Sequence, residues 1–528
     1  MKTIKILIVA VATLGLVSCE DFLTTEPLTT VTDANYYKTP GDAYTALVGC
    51  YDGLQTIWAG GIALPLASEI MSDNCYGGFG ASDAYNFQAI DEFDLSRAPS
   101  YQNLYGDNWS AYYEAVYRCN ILLSKMDQIE WGTEENLRPI YEAETRFIRA
   151  YLYFDMVRLW GNIPLLTEAS TENLPQSDPT AVYQLIAEDL VFAAQNLEGT
   201  PYTSQAQATY GRVTKWAAEA LIGRVYLYYT GYYGQPDLAG VVSQSDALAF
   251  LEDVISNGGF GLVENFANLW PAASGSDYVG EDNQETVFAI KYTYTSDYNG
   301  NTDGNHWLVM FGMREQSFFP YGNGWGGGTV SPKLWNAYAD EDSRKVASII
   351  SVDDEGFDFD VDRQREYTGY YNKKYTPMSD EDGNSVAVEL GGTNFMIGQF
   401  QDYVSIRYSD VLLMAAELGS ANAQSYFDMV RQRALGDAFT ALSPTKANIL
   451  QERYLEFALE GLRYYDLLRQ GLDVTAAAIA EETTLLSAGN AETKSISSAD
   501  FMETQGLQQI PNTQITLSSG VLKQNAGW

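Results

Sequence analysis

His306 is the only histidine in the 528 residues, and this limits the chemistry that the chain can perform. Serine–histidine catalysis needs a placed imidazole, and multi-histidine metal sites need several, so both are nearly excluded. Carboxylates are plentiful, with 69 Asp and Glu residues. A glycosidase needs two of them about 5–10 Å apart across a sugar, and no motif marks such a pair. We therefore predict no catalytic and no metal-ligating residues.

A G-x-G-x-x-G pattern lies within F-F-P-Y-G-N-G-W-G-G-G-T, residues 318–329. A dinucleotide site needs this pattern between a strand and a helix, so that the helix N-terminus meets the pyrophosphate. Here Pro320 precedes the glycines, Trp325 lies among them and Pro332 follows. The stretch is more typical of a loop that presents aromatic rings.

The acids of D-F-D-V-D, residues 358–362, alternate as in a calcium loop. An EF-hand needs Gly at its sixth position and Glu at its twelfth. Those positions hold Arg363 and Gly369, so an EF-hand is excluded. A calcium site of another kind remains open.

The N-terminus is typical of an exported bacterial lipoprotein. Lys2 and Lys5 precede an apolar run, 6–17, that is too short to span a bilayer. The run ends in L-V-S-C, which resembles a lipobox with Cys19 as the acylated residue. We predict a signal peptide over 1–18, a lipidated tether over 19–38, and anchoring through Cys19 alone.

The formal net charge is −38, which repels nucleic acid and anionic headgroups and suits neutral or cationic ligands. Besides Cys19, the cysteines are Cys50, Cys75 and Cys119, so at most one disulfide can form. Cys50 and Cys119 fall in helical patterns, where we expect small buried hydrophobes.

Helical patterns dominate 39–258 and return over 404–472, and we expect one domain over 39–528. Helices are predicted from Thr39 to Leu54 and over these ranges: 104–127, 134–160, 179–198, 212–231, 408–418, 426–434 and 449–471. Asp155 and Arg158 are three apart and are expected to pair. In the last helix, opposite charges follow one another at spacing three and are expected to stabilise it: Glu460, Arg463, Asp466 and Arg469.

Residues 259–403 differ in character, being rich in Gly, Asn, Asp, Tyr and Trp, with short strand-like runs such as 286–294. A C-terminal tail follows over 473–528. Within the helical part, the small-then-large pattern of 216–229 is typical of tetratricopeptide arrays, although the strict 34-residue period is missing. The predicted fold is mostly α, with a scaffold of tetratricopeptide-like helix pairs and an irregular, loop-rich part.

Several segments together resemble the SusD/RagB family of outer-membrane nutrient-binding lipoproteins. They are the lipobox, R-F-I-R-A-Y-L-Y-F-D-M-V-R-L-W-G-N-I-P-L, R-V-T-K-W-A-A-E-A-L-I-G-R-V-Y-L-Y, Y-S-D-V-L-L-M-A-A-E, V-R-Q-R-A, E-R-Y-L-E-F-A-L-E-G-L-R-Y-Y-D-L-L-R and the closing I-P-N-T-Q-I-T-L-S-S-G-V-L-K-Q-N-A-G-W. They occur in the family's order over nearly the whole chain.

The resemblance implies a surface lipoprotein of the outer membrane that binds oligosaccharides, with its loops forming the ligand face. It implies a partner, a SusC-like TonB-dependent transporter, to which ligand is delivered. It implies no cofactor, although some members hold a structural calcium ion.

Sugars rest their C–H faces on aromatic rings, and their hydroxyls need fixed polar partners. Loops that combine aromatics with Asp, Asn and Arg occur at 72–85 and 298–325. The predicted ligand-binding residues are Asp73, Asn74, Tyr76, Asp83, Trp307, Arg314, Tyr321 and Trp325. By contrast, Trp109 and Trp160 fall within helical patterns and are assigned to the core.

Three alternatives remain open at this stage. The chain could be a surface carbohydrate-active hydrolase with an unrecognised acid pair, a peptide-binding member of the same family, or a protein-interaction module that uses its helix pairs. Cleavage of a bound glycan would indicate the first of these.

Overall fold

The computed structural model describes residues 36–170 and 172–528. The predictions for the signal peptide, the tether up to residue 35 and the lipidated Cys19 therefore lie outside the described residues.

Twenty α-helices run through the described residues. In chain order, α1 to α10 are Pro40–Thr56, Leu64–Ile70, Asn86–Glu92, Gly106–Lys125, Leu137–Trp160, Pro179–Asn196, Lys215–Tyr233, Gln244–Asn257, Pro271–Ser274 and Leu308–Phe311. The remaining helices, α11 to α20, are Pro332–Ala337, Arg344–Ser348, Val386–Glu389, Tyr408–Glu417, Ala423–Leu435, Lys446–Glu456, Arg463–Leu468, Leu472–Ile479, Ser498–Thr504 and Asn512–Leu517.

The long helices pack one against the next to form the scaffold. Helix α1 contacts α4 and α5, and the helices from α4 to α7 each contact their successor. Helix α14 returns the chain to this array, because it packs on α8 and α15. The prediction of a mostly α fold built from packed helix pairs is confirmed.

Local sequence signals set the ends of these helices. Thr39 and Asp42 form the expected capping box of α1, with Pro40 in the first turn. Helix α5 ends at Gly161, whose φ of 70° is costly for residues other than glycine. The predicted pair also forms within α5, since Arg158 Nη2 lies 2.6 Å from Asp155 Oδ1.

The predicted continuous helix over 449–471 is wrong. The chain leaves the helix after α16 and resumes it only at α17, and both Leu459 and Gly461 have positive φ. This break lets the Glu460 carboxylate meet two buried cations, Lys374 at 2.6 Å and Arg407 at 2.9 Å. Bonding to distant partners outweighs the local helical pattern.

The predicted charge ladder is correspondingly incomplete. Asp466 and Arg469 pair at 2.8 Å, as expected. Arg463 instead binds Asp73, far away in the sequence.

The strands form five two-stranded sheets in the described part of the chain. In chain order, β1 to β10 are Cys75–Gly78, Thr286–Ile290, Met313–Arg314, Asn323–Gly324, Gly327–Val330, Ile349–Ser351, Tyr370–Asn372, Tyr403–Arg407, Glu481–Ser487 and Asn490–Ile496. The pairs β1–β5, β2–β8, β6–β7 and β9–β10 are antiparallel, and β3–β4 is parallel. The β1–β5 pair joins the glycine-rich stretch 318–329 to the predicted binding loop 72–85. The β3–β4 pair joins the same stretch to residues 313–314 of the predicted binding loop 298–325.

One large hydrophobic core runs through the helical scaffold, and a smaller cluster lies under the middle segment. Trp109 and Trp160 belong to the large core, with ring centroids 4.8 Å apart, as predicted. Cys50 and Cys119 are buried there as free thiols, which confirms their assignment as small core residues. Among the described residues, no helix combines the length and apolar character needed to cross a membrane.

Candidate functional site

A cleft of about 680 Å³ lies where the helical scaffold meets the middle segment. Its volume is typical of sites that bind small ligands, which span about 300–1,000 Å³. Three separate parts of the chain line it, and these are the residues: Gly61, Ile62, Phe79, Asp83, Ala84, Asn86, Phe87, Tyr101, Asn103, Leu104, Asp107, Met310, Arg314, Glu315, Asn323, Gly324, Trp325, Phe395 and Met396.

Aromatic rings form much of the surface of the cleft. Trp325 is half-buried and Tyr101 is 39% exposed, so both can offer a ring to a ligand. Phe79 and Phe87 also line the cleft, where they stack with centroids 3.9 Å apart and are buried. The cleft therefore combines two accessible rings with a packed aromatic pair.

Polar groups stand beside these rings. Arg314 Nη2 donates to Asp83 Oδ2 at 2.8 Å, which joins the 72–85 segment to the middle segment. Arg314 Nη1 also donates to the backbone carbonyl of Trp325 at 3.4 Å. The side chain that anchors the loops to one another thus also fixes the backbone that carries the tryptophan.

A buried arginine holds the turn that carries Asp83. Arg365 Nη1 donates to the carbonyl oxygen of Asp83 at 2.6 Å, and Nη2 donates to that of Ala81 at 3.1 Å. Its guanidinium lies 3.7 Å from the ring centroid of Tyr85. The turn therefore has a fixed shape before any ligand arrives.

The glycines of the loop are explained by close approach of backbone to backbone. A Cβ on Gly324 would lie 2.4 Å from the Cα of Gly312 and 2.5 Å from the carbonyl oxygen of Val309. Gly326 has a φ of 75°, and a Cβ there would lie 2.4 Å from Gln364 Oε1. The pattern therefore serves packing beneath the cleft, and strand β5 follows it where a dinucleotide site would need a helix.

Three of the eight predicted ligand-binding residues meet in this cleft: Asp83, Arg314 and Trp325. They come from two segments far apart in the sequence, and the ion pair between Asp83 and Arg314 joins them. Contact of these three with a ligand stays a prediction.

The other five predicted residues lie outside the cleft. Trp307 is fully buried, its Nε1 donates to Tyr292 Oη at 3.4 Å, and its ring packs edge-on against Trp58. Tyr321 belongs to the smaller core cluster, and its Oη donates to Glu355 at 2.8 Å. Neither ring reaches the surface, which corrects our expectation that they stand on open loops.

The residues before and within β1 are also engaged with the protein itself. Asn74 Nδ2 donates to Glu69 at 2.8 Å, and Tyr76 Oη donates to Glu481 at 2.9 Å. Asn74 and Tyr76 are buried, and Asp73 forms an ion pair with Arg463. In this structure these three side chains hold the 72–78 segment in place rather than line the cleft.

Several residues that line the cleft were not among the predicted ligand-binding residues. Tyr101, Asn103 and Asp107 lie just before and within the first turn of α4, and Phe395 and Met396 come from a third segment. The criterion of an aromatic beside amides and acids on a loop would have found Y-Q-N at 101–103. Phe395 and Met396 carry no comparable signal.

The single histidine lies apart from the residues that line the cleft. His306 Nδ1 lies 3.1 Å from the carbonyl oxygen of Ala59, and Nε2 lies 3.1 Å from Ser296 Oγ. Burial lowers the pKa of His306. Within 36–170 and 172–528, no group of three or more His, Cys, Asp or Glu side chains is arranged to hold a metal ion. The calcium ion that the family resemblance allows stays a prediction.

Comparisons with known proteins agree with this architecture. Residues 356–528 match the sequence profile described as the SusD family, and residues 63–227 match the one described as starch-binding associating with outer membrane. A SusD-like protein of Bacteroides ovatus is 26% identical over 495 residues, which cover 88% of this chain and 82% of that protein.

Two solved structures share the fold across almost the whole chain. Surface glycan-binding protein A from Bacteroides fluxus superposes with a TM-score of 0.78 at 25% identity, covering 93% of this chain and 100% of the other. A laminarin-binding SusD-like protein gives 0.73 at 26% identity, with the same two coverages of 93% and 100%. The fold and the matched profiles together define an outer-membrane-associated binding protein, and the chain belongs to the SusD/RagB family.

Proposed function

We propose that this protein captures oligosaccharides in the cleft around Trp325 and delivers them to a SusC-like TonB-dependent transporter. The observation that carries the proposal is the placement of the rings of Trp325 and Tyr101 beside the polar groups of Asp83, Asn103 and Arg314. Rings receive the C–H face of a sugar, and the polar groups receive its hydroxyls. The names of the relatives, surface glycan-binding protein and laminarin-binding protein, support the same ligand class.

We also propose that the protein binds glycan without cleaving it. In the cleft, Asp83 and Glu315 each lie within 3.3 Å of the Arg314 guanidinium, so both are held in ion pairs. Asp107 is the one remaining acid among the described residues that line the cleft, and a glycosidase needs a pair of carboxylates placed across the scissile bond. No cofactor is required by this proposal.

The proposed location is the outer membrane, with the protein anchored through lipid on Cys19 and facing the cell exterior. The matched profile named for association with the outer membrane supports the compartment. The variant Cys19→Ala is expected in the soluble fraction of cells that lack the transporter, because lipid is the only proposed anchor. Retention of this variant in the membrane fraction would count against the anchor.

A panel of neutral glycans, including laminarin and amylose, tests the central claim by isothermal titration calorimetry. At least one glycan should bind wild-type protein, bind Trp325→Ala more weakly, and show no new reducing ends after prolonged incubation. Binding of peptides in place of glycans would favour the peptide-binding alternative. New reducing ends that one Asp or Glu substitution abolishes would favour the hydrolase.

The transporter partner is tested separately. Gently solubilised native membranes should yield the protein together with a large TonB-dependent barrel on affinity purification. Recovery of the protein alone would contradict delivery to a transporter while leaving glycan binding intact.

A further inference from the structure

We infer that the cleft selects uncharged glycans and rejects glycans that carry carboxylate or sulfate groups. The inference rests on the proposed function, because it names the chemical class of ligand for the same cleft.

Arg314 is the only basic side chain among the described residues that line the cleft. Its Nη2 lies 2.8 Å from the Asp83 carboxylate and 3.3 Å from the Glu315 carboxylate. Recognition of an acidic sugar would use these same guanidinium donors. Two protein carboxylates already lie against Nη2 and a backbone carbonyl accepts from Nη1, so an acidic sugar would compete with these partners for the one cation.

The guanidinium groups of Arg363 and Arg365, just outside the cleft, are also bonded to protein groups. Arg363 Nη1 lies 3.1 Å from Glu315, and its Nε lies 3.1 Å from Asp360. Arg365 is only 2% exposed, and it is bound to backbone carbonyls of the Asp83 turn. Arg363 is half-exposed and already shares its charge between two carboxylates, whereas Arg365 is buried away from an entering ligand.

Acidic groups exceed basic ones among the lining residues. Asp83, Asp107 and Glu315 face the single cation Arg314. Asp107, in the first turn of α4, forms no ion pair with another residue of the described chain. A uronate or sulfate entering the cleft therefore meets like charge, on a protein whose formal net charge is already −38.

The remaining polar groups suit hydroxyls. Asn86, Asn103 and Asn323 line the cleft, and an amide can both donate and accept hydrogen bonds; the Oδ1 of Asn103 already accepts from Thr513, which leaves its Nδ2 as the donor for a ligand. A sugar hydroxyl also donates and accepts, so these side chains can bind it through hydrogen bonds between neutral groups. Among the residues that the structure describes, the cleft thus offers stacking and neutral hydrogen bonds, and no free cation.

The test compares polymers that differ only in charge. Laminarin, amylose, galactan and mannan are each paired with a C6-oxidised form, in which primary alcohols have become carboxylates. Affinities are measured by calorimetry with the purified protein at low and at high salt. In any pair that binds, the neutral polymer should bind at least about fivefold more tightly than its oxidised form at low salt. The ratio should fall as salt rises, because salt screens exposed charges.

A matched pair of variants separates the local field from the net charge. Asp83→Asn leaves the Arg314 charge less compensated, and it should raise the ratio of oxidised to neutral affinity by about fivefold or more, the factor for one charge pair at water-like dielectric. Asp340→Asn removes the same charge at a side chain that is 92% exposed and pairs with Lys345. This control should leave the ratio unchanged.

The outcomes are distinct. Equal or tighter binding of the oxidised form, or an unchanged ratio in Asp83→Asn, overturns the inference while glycan binding itself stands. An equal rise in both variants would assign selectivity to net charge and would also overturn it. Failure of every polymer, neutral and oxidised, overturns the proposed function and this inference together.

Discussion

The carboxylate of Asp73 accepts two hydrogen bonds from the guanidinium of Arg463, one from Nε at 2.7 Å and one from Nη2 at 2.8 Å. The pair is largely buried, and the guanidinium also stacks on the Tyr454 ring, 3.9 Å from its centroid. It ties the segment before β1 to the start of α17, across most of the sequence. A bidentate, buried pair of this kind is a structural clamp.

Loss of this clamp should lower stability. Asp73→Ala leaves the Arg463 charge buried without a partner, so the free energy of unfolding should fall by about 3 kcal/mol. Urea denaturation followed by circular dichroism measures the change. The folded variant should bind glycan as wild type does, because Asp73 does not line the cleft. Normal stability with lost binding would return Asp73 to the ligand site.

The rings of Trp325 and Tyr101 should carry much of the binding energy. Trp325→Ala and Tyr101→Ala should each weaken glycan binding by about 1–3 kcal/mol, the range for truncation of a stacking aromatic. Tyr117→Ala is the control, because Tyr117 is 45% exposed but lies outside the cleft. Calorimetry gives the affinities. If all three variants bind alike, the cleft is not the site.

Trp325, Asp83 and Arg314 are the cleft residues that could be predicted from the sequence. Trp325 was identified from an aromatic on a glycine-rich loop, and Asp83 and Arg314 from charge beside aromatics, all of which are local signals. Trp307 shares those signals but is buried, because Trp58 and Tyr403 from distant segments pack against it. A single sequence carries no sign of which distant ring will cover a given tryptophan.

Among the helices, too, some boundaries follow from local sequence and others only from tertiary contacts. The ends of α1 and α5 follow from capping residues and a terminal glycine within a few positions of each end. The break between α16 and α17 has no comparable local cause. Glu460 leaves the helical path to reach Lys374 and Arg407, and only the tertiary structure brings those cations to it.

The glycine-rich loop should not tolerate a side chain at Gly324. A Cβ there would contact the backbone of Gly312 and Val309, which cannot rotate away. Gly324→Ala should therefore cost about 1–3 kcal/mol of stability and weaken binding by displacing Trp325. Gly49→Ala is the control, because Gly49 lies on α1 with no atom within 4 Å of its added Cβ. That variant should be neutral or stabilising by up to about 1 kcal/mol. Equal behaviour of the two variants would contradict the packing explanation.

Buried Glu69 should make stability depend on pH. Burial raises its pKa from 4.5 to about 7, although hydrogen bonds from Asn74 and Gly461 and the charge of Lys374 oppose the shift. The folded state then holds a proton that the unfolded state releases between these values, so stability falls as pH rises from about 4.5 to about 7. The stabilising contribution is complete below the unfolded pKa.

Glu69→Gln should remove this dependence. The amide oxygen can accept from the backbone N–H of Gly461, and Asn74 can turn so that its Oδ1, which has no hydrogen-bond partner now, accepts from the new amide. Relative to wild type, the variant should gain about 3 kcal/mol of unfolding free energy between pH 4.5 and pH 8. Urea titrations of both proteins at these pH values give the difference. Parallel pH profiles would show that Glu69 does not titrate in this range.

The cleft draws its walls from residues 61–107, 310–325 and 395–396, and this affects when the folding chain can acquire a complete cleft. Contacts between such distant segments form slowly, because long loops must close before those contacts can form. We therefore expect the cleft to be complete only once residues 395–396 have packed against the earlier segments. We expect that a partly folded chain does not bind sugar, so that sugar binding reports the fully folded protein.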